Sequence, residues 1–201
     1  MSTSRLTVSG SIGGAPMAAT ITRTAAGAIA LDPSLAIAKV GQLTTRGSTT
    51  AGTLTMATGH GITTAALIDI YWTGGRRYDV LVGTVASLSV PFTGGAGDDL
   101  PANLTAVTAA VQEIIDVDVD CDLLVMIGAL CSVRAHIGFF ITTVNHLSVD
   151  LPAGECWFWS DEGTAVNPLA GHVITQMKAT QSGVTAAKTL NVGLLYNSDA
   201  G

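Results

Sequence analysis

Four aspartates alternate with apolar residues in Asp116-Val117-Asp118-Val119-Asp120-Cys121-Asp122. Hard cations such as calcium require several carboxylate oxygens, so this run is the first place to look for metal chemistry. In an extended strand, side chains two apart share a face. Asp116, Asp118, Asp120 and Asp122 then line one face, and Val117, Val119 and Cys121 the other. Same-face neighbours stand about 7 Å apart, too wide to share one ion unaided. The run also lacks the glycine that lets a loop wrap a cation. The spacing favours a solvated outer face whose charges discourage stray edge pairing, or a face that meets Arg76, Arg77 or Arg134 of a neighbouring subunit.

Other reactive side chains are scattered. His60 stands between glycines in Gly59-His60-Gly61-Ile62, with no Ser, Cys or carboxylate at a catalytic spacing, which assigns it to a turn. His136, His146 and His172 are dispersed and show no metal-ligand spacing. Asp69, Asp79, Asp98 and Asp99 could supply a carboxylate pair of the glycosidase kind, but any chain with this many aspartates offers such pairs. Gly94, Gly95 and Gly97 precede Asp98 and Asp99, where a phosphate-binding loop would carry Lys and Ser or Thr. Cys121, Cys131 and Cys156 form no CxxC pair and no Cys/His cluster, and read as three reduced, mostly buried thiols. A Cys121–Cys131 bridge across a hairpin is the alternative. No catalytic residue, no cofactor site and no metal site beyond the aspartate run is expected.

Glu155-Cys156-Trp157-Phe158-Trp159-Ser160 is the densest aromatic stretch. As a strand it puts Trp157 and Trp159 on one face and Cys156 and Phe158 on the other, and one face must be core. The expectation is that Trp157 and Trp159 fill the inter-sheet core or meet a second subunit, and they join Arg76 and Arg77 as interface candidates. A tryptophan platform stacking on a sugar ring is the alternative.

The elements that position these residues are strands. Short stretches with period-two alternation are separated by Gly, Pro, Asp and Asn. They include Arg5–Ser9, Ala18–Thr24, Ala28–Leu31, Leu35–Thr45, Gly52–Met56, Ile68–Trp72, Tyr78–Val85, Ser87–Pro91 and Leu104–Val111. Beyond these come Ile114–Asp118, Leu123–Leu130, Arg134–Thr142, Leu147–Leu151, Glu155–Ser160, His172–Thr180 and Thr189–Tyr196. Thr73-Gly74-Gly75 marks a short hairpin, and residues 93–99 an extended glycine-rich loop. Ala106–Ile114 has some helical character, but Val107, Thr108 and Val111 are β-branched and favour a strand.

Charged residues make up 12% of the chain, and it carries 28 Ala, 26 Thr and 23 Gly in 201 residues. Average soluble domains have about 25% charged residues. So weakly charged a surface fits life inside an assembly. The net charge is −6, which speaks against nucleic-acid binding, since that needs a basic face to neutralise phosphates. No apolar run reaches the roughly 18 residues of a membrane span, and the chain starts without an apolar signal core. Residues 1–112 carry six bases and five acids, residues 113–201 three bases and ten acids. This asymmetry divides the chain into a unit at 1–113, its first 45 residues a possible assembly arm, and a unit at 114–201. The expected fold is all-β: an N-terminal small β-barrel or extended β unit, then an antiparallel β-sandwich of jelly-roll type.

Two stretches carry a family resemblance. Gly52-Thr53-Leu54-Thr55-Met56-Ala57-Thr58-Gly59-His60-Gly61-Ile62-Thr63, followed by Ile68-Asp69-Ile70-Tyr71-Trp72, resembles a β-element of tailed-bacteriophage virion proteins, in which a Gly-His-Gly-Ile/Leu turn precedes a strand of a small barrel. Leu151-Pro152-Ala153-Gly154-Glu155 before the aromatic strand, with Asn167-Pro168-Leu169-Ala170-Gly171 after it, resembles the small sandwich or jelly-roll modules of phage head and tail proteins. The resemblance implies a non-enzymatic structural role in a virion assembled in the host cytoplasm. It points to a capsid decoration or minor head protein, with a phage tail or fibre adhesion module binding a host-surface glycan as the alternative. The implied partners are a major capsid or tail protein and further copies of the chain, a trimer being the favoured state, with no nucleic acid and no membrane.

Overall fold

Threonine, valine and alanine in alternation, broken every few residues by glycine, leave little but strands to form. The structure, a computed structural model, describes residues 2–12, 15–25, 27–121, 124–161 and 164–196, with side-chain positions from Ala30 onward. These residues hold eighteen strands and no α-helix. The chain divides into two compact units. One comprises Ala36–Glu113 and Thr180–Ala187, the other Met1–Leu35, Ile114–Ala179 and Lys188–Gly201. The chain thus crosses between units at residues 113 and 114, where the charge balance changes. Residues 1–35, expected in the first unit, group with the C-terminal one, because their strands pair there.

The chain opens with β1 (Ser2–Ile12) and β2 (Ala15–Ala25), an antiparallel hairpin in register from Ser2↔Ala25 to Ile12↔Ala15. β3 (Gly27–Leu31) and β4 (Ser34–Leu35) follow.

The barrel unit is built from β5 (Lys39–Arg46), β6 (Gly52–Met56), β7 (Leu67–Trp72), β8 (Gly75–Val82), β9 (Ser89–Thr93), the two-residue β10 (Ala96–Gly97) and β11 (Thr105–Val111). The strand order is β10-β8-β7-β11-β5-β6-β9, and β8 also pairs with β9 through Leu81↔Thr93 and Val82↔Phe92. That pairing closes six antiparallel strands into a barrel, which removes the open edges of the sheet. Alternation fills the interior: Leu54 and Met56 of β6, Val80 and Val82 of β8, Val90 and Phe92 of β9 point inward and are buried. Burial of each such side chain stabilises by about 1.5–3 kcal/mol. The Ala106–Ile114 stretch is strand on both sides of Gln112, in keeping with its β-branched residues. The loop at 93–99 is less open than expected, since Ala96 and Gly97 pair with Tyr78 and Arg77.

The second unit contributes β12 (Glu113–Asp120), β13 (Leu124–Cys131), β14 (Ala135–Ile141), β15 (Val144–Leu151), β16 (Cys156–Ser160), β17 (Val173–Gln181) and β18 (Lys188–Tyr196). One sheet has the order β12-β17-β14-β15, the other β16-β13-β18-β3, with β4 pairing the start of β18. From β12 to β18 every connection except β14 to β15 changes sheet, the pattern of a jelly roll. The two inner faces share one core, which includes Ile127 and Ala129 of β13, Ile137 and Phe139 of β14, Met177 of β17 and Val192 of β18. β3 and β4 pair β18 along Gly27–Leu31 and Ser34–Leu35, so the N-terminal strands complete this sandwich.

Candidate functional site

The only carboxylate buried to 0% exposure among the described residues is Asp69, the single charge in Leu67-Ile68-Asp69-Ile70-Tyr71-Trp72. The register of β7 against β8 slips there, from Ile68↔Val80 to Ile70↔Arg77, so Tyr78 and Asp79 oppose the one residue Asp69. This is a β-bulge. Asp79 adopts a left-handed φ of 54°, a conformation aspartate tolerates better than most residues. Its N–H, turned out of the ladder, donates to Asp69 Oδ1 at 2.8 Å.

Three further groups of the barrel unit converge on this bulge. Thr180 donates its hydroxyl to Asp69 Oδ2 at 2.5 Å, and Tyr71 donates to the Thr180 oxygen at 2.6 Å. Gln112 Nε2, just past β11, donates to Asp69 Oδ1 at 3.2 Å and to Asp79 Oδ1 at 2.7 Å. Gln112 Oε1 is left buried without a hydrogen-bond partner. Such an orphan costs about 1–3 kcal/mol, and two charge-assisted bonds from the amide nitrogen offset it. The Tyr71 ring meets Tyr78 edge-on at 5.9 Å. The stretch that carries Thr180 is pinned as well: Gln181 donates to Ala186 O and accepts from Gly183 N–H, and Ala38 N–H donates to Gly183 O. Asp69 is therefore a bolt that holds a bulge, the end of β11 and residues 180–187 together. Acid–base work needs a carboxylate that a substrate can reach, and Asp69 exposes no surface.

The other singled-out residues are placed as follows. His60 is buried, between Gly59 and Gly61, both at positive φ. Its Nδ1 accepts from Ile62 N–H at 3.0 Å, which puts the proton on Nε2, and Nε2–H donates to Ser87 O at 3.0 Å. Both ring nitrogens hold the turn. Arg77, expected at an interface, is turned into its own fold. It is buried, and its guanidinium donates to Gly94 O, Gly95 O and Asp98 O at 2.6–2.9 Å, gathering the glycine loop around a cation. Arg76 lies at the surface 3.7 Å from Asp98, whose carboxylate also accepts Arg76 N–H. Asp98 therefore serves its own loop, while Asp69 and Asp79 do come together.

Of the two places open to Trp159, core or subunit contact, the structure gives the core. It packs in the sandwich core and donates Nε1–H to Ala165 O, and Trp157 packs half-buried against the same core. The tryptophan face points inward, and Cys156 and Phe158 are exposed. The indole rings win the inner face because they bury the larger apolar area. On β12, Asp116, Asp118 and Asp120 are exposed while Val117 and Val119 are buried; Asp122 lies outside the described residues. Asp116 and Asp118 border an open groove of about 580 Å³ with Thr142, Thr175 and Gln176. No three ligand oxygens of this strand come within 4.8 Å of one another. Arg134 is bound to both oxygens of Asp150, at 2.7 and 2.9 Å. His146 and His172, dispersed in sequence, meet with ring centres 4.0 Å apart and planes tilted by 45°. All three cysteines are free, Cys121 and Cys131 buried and Cys156 exposed. Burial pushes the Cys131 thiol above its ordinary value.

No family model matches this chain, and neither a curated protein nor a solved structure does.

Proposed function

We propose that this chain is a non-enzymatic structural protein of a virion, a capsid decoration or minor head protein that stabilises the particle through subunit contacts. The observation that carries the reading is where its chemically capable side chains are spent. Asp69 anchors a bulge, His60 bolts a turn with both nitrogens, and Arg77 gathers a loop. Each is buried and engaged by its own fold. The weak charge and the phage-like motifs around His60 and Gly154 support the same role. Its partners are then a major capsid protein and other copies of itself, a trimer being favoured. The alternative, a tail or fibre module stacking Trp157 and Trp159 on a glycan, loses its platform because Trp159 is in the core.

The test is mass spectrometry of gradient-purified particles from the source, followed by binding of the purified chain to particles that lack it. Presence at a fixed stoichiometry and saturable binding are expected. Absence from particles, with turnover of any glycan or ester substrate by the purified chain, would overturn the reading.

A further inference from the structure

The histidines of this chain are spent in different ways. His60 uses both ring nitrogens to hold its turn. His146 and His172 use neither: no imidazole nitrogen of the pair is hydrogen-bonded to a described residue, and each ring meets the other at 4.0 Å between centres. Both are half-buried, so solvent reaches them. Two separate devices deliver them to one place. Between Phe139↔Leu147 and Phe140↔Asn145 the register of β14 against β15 slips, and His146 is the extra residue. A bulge of this kind takes one side chain out of the strand's alternation and re-aims it. His172, the residue before β17, is fixed through its backbone, since its carbonyl accepts Cys121 N–H at 2.9 Å. The loop that leads to it is tied to the same residue: Asn167 Nδ2 donates to Cys121 O at 2.7 Å, and Asn167 Oδ1 accepts Leu169 N–H at 2.9 Å.

We propose that His146 and His172 together bind a late first-row divalent metal ion, with zinc as the type. The site goes beyond the structural role proposed above and does not depend on it. The donor set selects the ion. Neutral imidazole suits zinc, copper and nickel, whereas calcium and magnesium take oxygen. Two nitrogens that share one zinc at 2.0–2.1 Å stand about 3.3 Å apart in tetrahedral geometry. An ion in the plane of both rings lies where the two planes meet. Parallel rings would forbid this, and the 45° tilt of His146 against His172 permits it. Rotation about the side-chain bonds of the two histidines then closes the bite, while the bulge and the anchored loop hold the backbones. No described carboxylate or thiol completes a set of three with the pair within 4.8 Å. The chain thus supplies two nitrogens, and water fills the other positions of the ion. Asp120, exposed, precedes Cys121, so the acidic strand β12 ends beside the backbone contact of His172. Its charges concentrate cations there.

The test is a zinc titration of the full chain, first stripped of metal by a chelator that is then dialysed away. It is read by long-range proton–nitrogen NMR of the imidazoles and repeated with His146→Gln and His172→Gln. The ring-nitrogen signals of His146 and His172 are expected to move together and to saturate at one zinc per chain, while those of His60 stay in place. Calcium is expected to move none of them. Each variant is expected to bind zinc at least about tenfold more weakly, since the loss of even an outer-shell partner costs a metal site that much, and to keep a cooperative melt without zinc. Should one variant fail to fold, the other and the wild-type titration decide. Signals of the pair that stay in place up to millimolar zinc, movement of only one of the two rings, or folded variants that bind zinc as tightly as the wild type would overturn the proposal.

Discussion

Asp69 and Asp118 are both strand carboxylates, yet their surroundings give opposite expectations for removing the charge. Replacing Asp69 by Ala takes the acceptor from the Asp79 N–H and the Thr180 hydroxyl inside the barrel unit, and leaves the Gln112 amide with only its bond to Asp79. The expected loss is about 3 kcal/mol or more, read as a lower urea midpoint with an unchanged slope. Asp118→Asn removes an exposed charge flanked by like charges, and its effect is expected within about 0.5 kcal/mol. Melts of the wild type with calcium and with chelator are expected to coincide, and a chelator-dependent drop of several degrees would restore the aspartate strand as an ion site. The cysteines divide in the same way. Cys156 is exposed and is expected to react first with a thiol reagent, with Cys121 and Cys131 reacting only as the chain unfolds. Because burial raises the Cys131 thiol, the unfolded chain ionises there first. Its contribution to stability is therefore full below the ordinary thiol range and is lost as pH rises through it. Asp69 was legible only as one of four aspartates that could supply a carboxylate pair. Its partners were not, because Gln112 and Thr180 stand 43 and 111 residues away and carry no local signal.

At the scale of elements, the glycine loop after β9 shows what a buried cation asks of a backbone. Gly94, Gly95 and Gly97 all have positive φ, and a Cβ on Gly95 would collide with Tyr78 O. Gly95→Ala combines an unfavourable conformation with that clash and displaces a carbonyl that Arg77 needs. A loss of about 2 kcal/mol or more is expected from thermal or denaturant melts. Strand positions were legible almost throughout, since Gly52–Met56 and Leu147–Leu151 alternate cleanly between punctuating glycines and prolines. Which face of a strand turns inward was less so. In Cys156-Trp157-Phe158-Trp159-Ser160 both faces are apolar, and alternation cannot rank them; only the available core volume does. The β8–β9 pairing that closes the barrel also left no mark in the pattern, because register between distant strands is a tertiary property.

For the whole molecule, the charge shift near residue 113 located one crossing between units, but the remaining crossings are silent in composition. Residues 1–35 complete the sandwich because β3 and β4 pair β18. A fragment of residues 114–201 therefore leaves the β18 edge bare and lacks Leu35, which is buried in the sandwich core. It is expected to show no cooperative melt and to aggregate, and a stable, sheet-type fragment would contradict this division of the chain. The central claim is that the protein works by strengthening a particle. Heating particles with and without the bound chain, and following genome release with a nucleic-acid dye, measures this directly. The account predicts release several degrees higher for the decorated particles, and identical release curves at saturating binding would contradict it.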